Sequence, residues 1–215
     1  MSNSPLVSVT INSPNNSGPR THAIDRITPH CVVGQLTARG IGEWFARSEA
    51  QSSSNYGIGT DGDVGMYVAE NCRSWCSSSG ANDQRAVTIE CASDNTHPYV
   101  FKQCVYDKLV ELCTDICKRN GKTVLLWLGD KDKTLAYEPQ PHEMVLTVHR
   151  WFAKKECPGA WMFSRMGELA EDVTARLSEK WYRVQVGAFK IRANAEKQRE
   201  ELIAAGFTDA YIVES

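Results

Sequence analysis

Residues 98–129 constrain the fold of this chain more than any other segment. Between positions 98 and 119 apolar residues recur at three- and four-residue spacing, which predicts a helix with one buried face. Asn120-Gly121 is a helix-stopping pair, since both residues tolerate the left-handed backbone that ends a helix. VLLWLG (124–129) follows at once, an apolar run suited to a strand covered on both faces. A long helix feeding directly into such a strand is the repeating step of an α/β fold.

The rest of the chain extends this pattern. IDRITPHCVVGQ (24–35) is rich in β-branched residues and reads as a strand, and Thr37 suits the N-cap of a helix through Ile41, Trp44 and Phe45. YGIGTDGDVGMYVAE (56–70) reads as a hairpin with Asp61-Gly62 at its turn, and RAVTIECA (85–92) as a short apolar strand. Met144–Val148 gives another strand, and Ser164–Leu177 a closing helix through Met166, Leu169, Ala170 and Val173. Residues 1–21, rich in Ser, Asn and Pro, read as a strand-poor leader on the surface. The expectation is an α/β domain over residues 1–177, with a single mixed β-sheet flanked by helices.

Beyond residue 180 the pattern starts afresh. Tyr182, Val184 and Val186 alternate with polar residues, a charged helix runs roughly from 193 to 205 and ends at Gly206, and DAYIV (209–213) reads as a second strand. Residues 181–215 thus form a small C-terminal β-α-β unit. It is too short to bury a core alone, so it must lean on the main domain or on a second copy.

Bulk properties exclude several function classes. A formal net charge of -2 leaves no basic footprint for nucleic acid and no general attraction to an anionic membrane. No apolar run is long enough to span a bilayer. The first residues lack a basic segment followed by an apolar one, so synthesis in a reducing cytoplasm without a signal peptide is expected, with most of the eight cysteines free. Cys104, Cys113 and Cys117 share the helix face of Val105, Leu109, Leu112 and Ile116 and read as small core residues.

The chemistry concentrates in TVHRWFAKKECPG (147–159). His149 ends a strand and Cys157 sits in the loop after it, turned sharply by Pro158 and Gly159. His30, at the end of the first core strand, offers a third soft ligand. Three ligands from His and Cys with a fourth position open is the pattern of a catalytic zinc. Taken one at a time, a histidine beside a strand is more often structural, and a buried cysteine more often packs than binds. By itself Lys155 reads as a solvated surface lysine beside Lys154, and Glu90 as an edge-of-sheet carboxylate pairing with Arg85 or a nearby lysine, although a Glu after the apolar run AVTI sits where burial is costly. Cys72 and Cys76 offer only two ligands and read as a surface loop pair or an occasional disulfide. Trp75, Trp127, Trp151 and Trp161 read as core or cleft walls.

Residues 24 to about 177 resemble the zinc-dependent N-acetylmuramoyl-L-alanine amidase family, which includes phage lysozyme-amidases and animal peptidoglycan recognition proteins. The resemblance rests on ITPH (27–30), NYGIGTDG (55–62), AVTIE (86–90) and TVHRWFAKKECPG, in the family's order and with its eight-residue step from His149 to Cys157. It implies His30, His149 and Cys157 as zinc ligands, Glu90 as the acid–base carboxylate and Lys155 as the cation that steadies the oxyanion. Some phage members carry a catalytic tyrosine seven residues before the hairpin aspartate; here that position is Ser54, with Tyr56 two further on. The tail, with YRVQVGAF and GFTDAYIV, resembles half of the sporulation-related (SPOR) repeat, which binds peptidoglycan, so it implies wall binding or pairing of two chains.

The resulting expectation is hydrolysis of the amide between N-acetylmuramic acid and L-alanine by a phage endolysin. Such an enzyme is made in the host cytoplasm and acts on the wall after release. Alternatives are a cytoplasmic amidase recycling muropeptides, a non-catalytic peptidoglycan-binding module, and a thiol hydrolase with Cys157 as nucleophile and His149 as base.

Overall fold

The computed structural model describes residues 2–178 and 184–214, and the chain divides into two compact units, Met1–Glu179 and Lys180–Ser215.

The first unit runs β1 (Val7–Thr10), β2 (Asn16–Pro19), β3 (Arg26–Cys31), α1 (Ala38–Phe45), β4 (Tyr56–Ile58), β5 (Val64–Met66) and β6 (Cys72–Ser74). It continues with α2 (Gly80–Arg85), β7 (Ala86–Cys91), α3 (Gln103–Arg119), β8 (Val124–Leu126), α4 (Lys131–Ala136), β9 (Glu143–Leu146), α5 (Ala160–Phe163) and α6 (Met166–Ser178). Seven strands form one sheet in the order β1-β5-β4-β7-β3-β9-β8. The β4–β5 hairpin supplies the antiparallel pair and every other neighbour is parallel, so the sheet is mixed, as expected.

The two central strands explain both the core and the site. In β3 and β7 every backbone position is buried or nearly so, yet the side chains alternate in chemistry. Ile27 and Cys31 on β3, with Val87, Ile89 and Cys91 on β7, join the apolar core, together with Val105, Leu109, Leu112 and Ile116 of α3 and Met166, Leu169 and Val173 of α6. Burial of each such aliphatic side chain contributes about 1.5–3 kcal/mol. Because successive side chains point to opposite faces, Thr28 and His30, with Thr88 and Glu90 paired beside them, occupy the other face. That face is closed over by hydroxyl and amide groups: Ser74 Oγ lies 2.7 Å from Thr88 Oγ1, and Asn82 Nδ2 donates to Thr28 Oγ1 at 3.0 Å.

Local signals set several element ends. Thr37 Oγ1 accepts the Gly40 N–H at 3.1 Å and caps α1, and Asn120 caps α3 with Gly121 at φ +67. Helix α3 starts five residues later than the apolar spacing suggests, after a loop in which Tyr99 has φ +62.

Four expectations are corrected. The leader is not strand-poor: β1 extends the sheet beside β5, and β2 pairs with β6 in a separate two-stranded sheet. β8 is an edge strand in which Leu125 alone is fully buried, and the apolar run continues instead into Trp127, which stacks flat on Trp151 with ring centroids 5.1 Å apart and planes 1° apart. Cys104 is exposed on α3, with its thiol directed to the Thr60 carbonyl, whereas Cys113 and Cys117 are buried.

The fourth correction concerns the second unit. Its helix α7 (Arg192–Ala204) forms and is followed by Gly206 at φ +100, but no strand appears among described residues 184–190 or 207–214; the start of the expected first strand, Tyr182-Arg183, lies outside the described residues. Val184, Val186, Phe207 and Val213 are exposed. A strand needs a neighbour to take its backbone hydrogen bonds, and one β-α-β unit supplies too little apolar cover to hold two strands together.

Candidate active site

The sequence places four of the five candidate residues within reach of one point. His30 and Glu90 are direct partners in the parallel β3–β7 register. Their side chains emerge on the same side, with His30 Nδ1 3.9 Å from Glu90 Oε1. His149 opens a short 3-10 turn just after β9, and Cys157 follows in the next loop. Cys157 Sγ lies 3.2 Å from His30 Nδ1, and the rings of His30 and His149 meet edge to face at 5.1 Å. Ligand atoms of His30, His149 and Cys157 all lie within 4.8 Å of one another. Gly159 holds this loop closed: its φ is +87, and a Cβ there would meet Tyr99 Cβ at 2.8 Å.

These donors fit a zinc ion. Zinc–sulfur and zinc–nitrogen bonds of ~2.3 and ~2.0 Å at a tetrahedral angle put the two ligand atoms roughly 3.5 Å apart, close to the Cys157–His30 separation. His30 Nε2 is buried without a hydrogen-bond partner, and His149 Nε2 meets the Ser78 hydroxyl at 2.9 Å, leaving its Nδ1 for coordination. Burial drives the His30 ring well below the usual imidazole range, reinforced by His149 beside it, so it stays neutral as a ligand must. Burial lowers His149 too, with the Lys155 ammonium adding to the effect. Burial pushes the Cys157 thiol well above its ordinary value, which is unfavourable for a free thiolate nucleophile.

Glu90 does not pair with Arg85, which instead holds Asp25 at 2.6 Å and Glu138 at 3.2 Å. Its Oε1 accepts the Cys76 thiol at 3.7 Å, and its Oε2 is buried without a partner. Desolvation raises this carboxyl to about 7. Lys155 is exposed and lines a 260 Å³ cleft with His97, Arg150, Glu156 and Ala160. Tyr56 is engaged elsewhere: its hydroxyl donates to Glu70 Oε1 at 2.6 Å and accepts the Ser4 N–H at 2.9 Å, and the Ser54 hydroxyl is turned back to the Tyr56 carbonyl.

Sequence reasoning set Cys76 apart from the site, as a partner of Cys72, and missed Ser78. Both lie in CSSSG (76–80), which carries no periodic pattern. Cys76 is not one of a surface pair with Cys72: its thiol meets Glu90, while the Cys72 thiol donates to Asn71. All eight cysteines are free.

The family model described as N-acetylmuramoyl-L-alanine amidase matches residues 20–160. The chain belongs to this amidase family. It is therefore a peptidoglycan amidase by family, and a SPOR domain model matches residues 172–215. Among solved structures, the amidase resembles the endolysin N-acetylmuramoyl-L-alanine amidase LysCS from Clostridium intestinale URNW, 17% identical with a TM-score of 0.53, covering 84% of this chain and 100% of that one. It also resembles the catalytic domain of XlyA (13%, TM-score 0.55, 78% and 99%) and AmpD (15%, TM-score 0.55, 82% and 99%). At these identities the likeness is one of fold. No curated protein sequence matches the amidase. Among its described residues, no helix is long and apolar enough to cross a membrane.

Proposed function

We propose that the chain is a zinc-dependent N-acetylmuramoyl-L-alanine amidase with residues 1–177 as its catalytic domain, acting as a phage endolysin. The observation that carries the reading is the convergence of His30, His149 and Cys157 around one point, with Glu90 paired to His30 across the sheet.

His30, His149 and Cys157 would hold the zinc, which would supply Lewis-acid polarisation of the lactyl carbonyl and acidification of water. Glu90 takes a proton from the attacking water and gives it to the leaving amide nitrogen of L-alanine. A carboxyl raised to about 7 suits both halves of that task near neutral pH. The Lys155 ammonium steadies the carbonyl oxygen as it becomes negative. Nothing in this scheme calls on Tyr56.

Residues 181–215 serve to hold the enzyme on glycan, with pairing of two tails as the alternative use of their exposed apolar residues. The SPOR match supports action on the intact wall, because a muropeptide-recycling enzyme needs no wall anchor.

The test combines metal analysis with digestion of purified sacculi. About one zinc per chain, activity lost to a chelator and restored by zinc, and new amino termini on L-alanine without new reducing sugar ends support the reading. A metal-free, active protein killed by a thiol reagent would make Cys157 a nucleophile. Equal activity on sacculi and soluble muropeptides with residues 181–215 removed would argue for recycling.

A further inference from the structure

The floor of the site rests on a loop that supplies none of the expected metal ligands. In residues 76–79, the N–H groups of Cys76 and Ser77 donate to Asp83 Oδ2 at 3.0 and 3.1 Å, and the Ser77 hydroxyl donates to Asp83 Oδ1 at 2.5 Å. Asn82 Nδ2 donates to Ser77 Oγ at 3.2 Å, and Ser79 caps α2 by accepting the Asn82 N–H. Three of the four residues are thus tied to α2. The fourth, Ser78, is bent into the left-handed region at φ +60, a conformation that favours glycine, and it puts its hydroxyl 2.9 Å from His149 Nε2. A glycine would make the same turn at lower conformational cost. What serine adds is the hydroxyl, and the hydroxyl is on His149.

We propose that Ser78 is a positioning residue for the metal centre, its hydroxyl accepting the Nε2–H of His149 and so fixing the tautomer whose Nδ1 lone pair faces the ion. This rests on the reading of His149 as a zinc ligand. A neutral imidazole has one donor and one acceptor nitrogen, and the partner of one decides the role of the other. Outer hydrogen-bond partners of this kind set ring orientation as well as tautomer. The bond comes from a loop clamped by a buried carboxylate, so the hydroxyl is presented in a fixed place. His149 is half-buried at the start of a short turn rather than within a strand, and besides the His30 ring edge its side chain meets the Ser78 hydroxyl.

The experiment uses the full-length wild type and three variants of it: Ser78→Ala, Ser78→Gly and Ser78→Asn. Zinc affinity is read by competition with a chromophoric chelator, the cobalt(II) form by its visible spectrum, and metal-free stability by urea unfolding. Ser78→Ala and Ser78→Gly are expected to weaken zinc by ~10- to 100-fold and to distort the cobalt spectrum. Ser78→Gly should nevertheless leave the metal-free fold as stable as wild type or more so, because it relieves the left-handed turn. Ser78→Asn, which tolerates that turn and carries an acceptor oxygen, should recover most of the affinity. Unchanged affinity in both Ser78→Ala and Ser78→Gly would overturn the proposal. So would a Ser78→Gly protein that loses stability in step with affinity, since the role would then be structural. Wild type that binds neither zinc nor cobalt would instead reject the reading of the ligand set itself.

Discussion

The hydroxyls of Thr28 and Thr147 lie 2.7 Å apart in the interior, and each residue stands two positions before a histidine of the site. Thr28 is on β3 ahead of His30, and Thr147 follows β9 ahead of His149. Asn82 completes a closed triangle, donating to Thr28 Oγ1 and accepting from Thr147 Oγ1 at 3.0 Å. The two strand ends are therefore locked in register by side chains, below the point where their histidines meet. Thr147→Val should cost about 1–3 kcal/mol in urea unfolding by leaving the buried Asn82 oxygen short of a donor. Thr28→Val combined with it should cost less than the sum of the two single changes. Strict additivity would show that the triangle is not one unit.

Glu90→Gln should keep the zinc content of wild type and lower the rate of sacculus digestion by at least ~10²-fold. Comparable turnover in the two proteins would remove Glu90 from the chemistry.

The same carboxyl gives a pH signature in the metal-free protein. Its folded-state value of about 7 lies above the ordinary 4.5, so its contribution to stability is fully present below 4.5 and is lost as pH rises through about 7. The loss is on the order of 3 kcal/mol. His30 and His149, lowered by burial, favour the folded state in the opposite direction, and they do so in wild type and variant alike. Urea midpoints of chelated wild type, compared with Glu90→Gln between pH 5 and 8, should therefore diverge as pH rises, wild type losing more. Parallel curves would mean that Glu90 is solvated.

Lys155 is exposed, so its removal should spare stability. Lys155→Ala is expected to lower kcat by ~10²- to 10³-fold with a small change in KM, and Lys155→Arg to retain part of the rate. A change confined to KM would make Lys155 a substrate-binding group.

Cys157→Ser should lose zinc, while Cys157→Asp, which presents a carboxylate oxygen to the same point, should retain measurable binding. Zinc analysis after desalting decides between them.

Much of the centre of this molecule was legible in its sequence because local chemistry and tertiary need coincide there. Thr37 caps α1, Asn120-Gly121 ends α3, and the Asp61-Gly62 pair turns the β4–β5 hairpin. The pairing of His30 with Glu90 was not legible, because it follows from the register of β3 against β7, which neither segment announces by itself. The periphery was less legible. β1 is four residues long and becomes a strand only by pairing with β5, more than fifty positions away. The apolar run at 124–129 looks like a central strand, although only Leu125 is fully buried and Trp127 serves an aromatic stack at the sheet edge. Cys76 was read as half of a surface pair, and Ser78 was not singled out, because a serine-rich loop has no period to read; the loop's path is decided by Asp83, whose own sequence context announces nothing.

The flat pairing of Trp127 with Trp151 gives this protein a built-in optical reporter. Trp151 lies two residues beyond His149 in the same short turn, while Trp127 is fixed just past the last strand of the sheet. Any shift of that turn as an ion or substrate arrives must slide one indole over the other. The overlap of two stacked rings governs their emission and their circular dichroism, so occupancy of the centre should be visible in unlabelled protein, in real time and without catalysis.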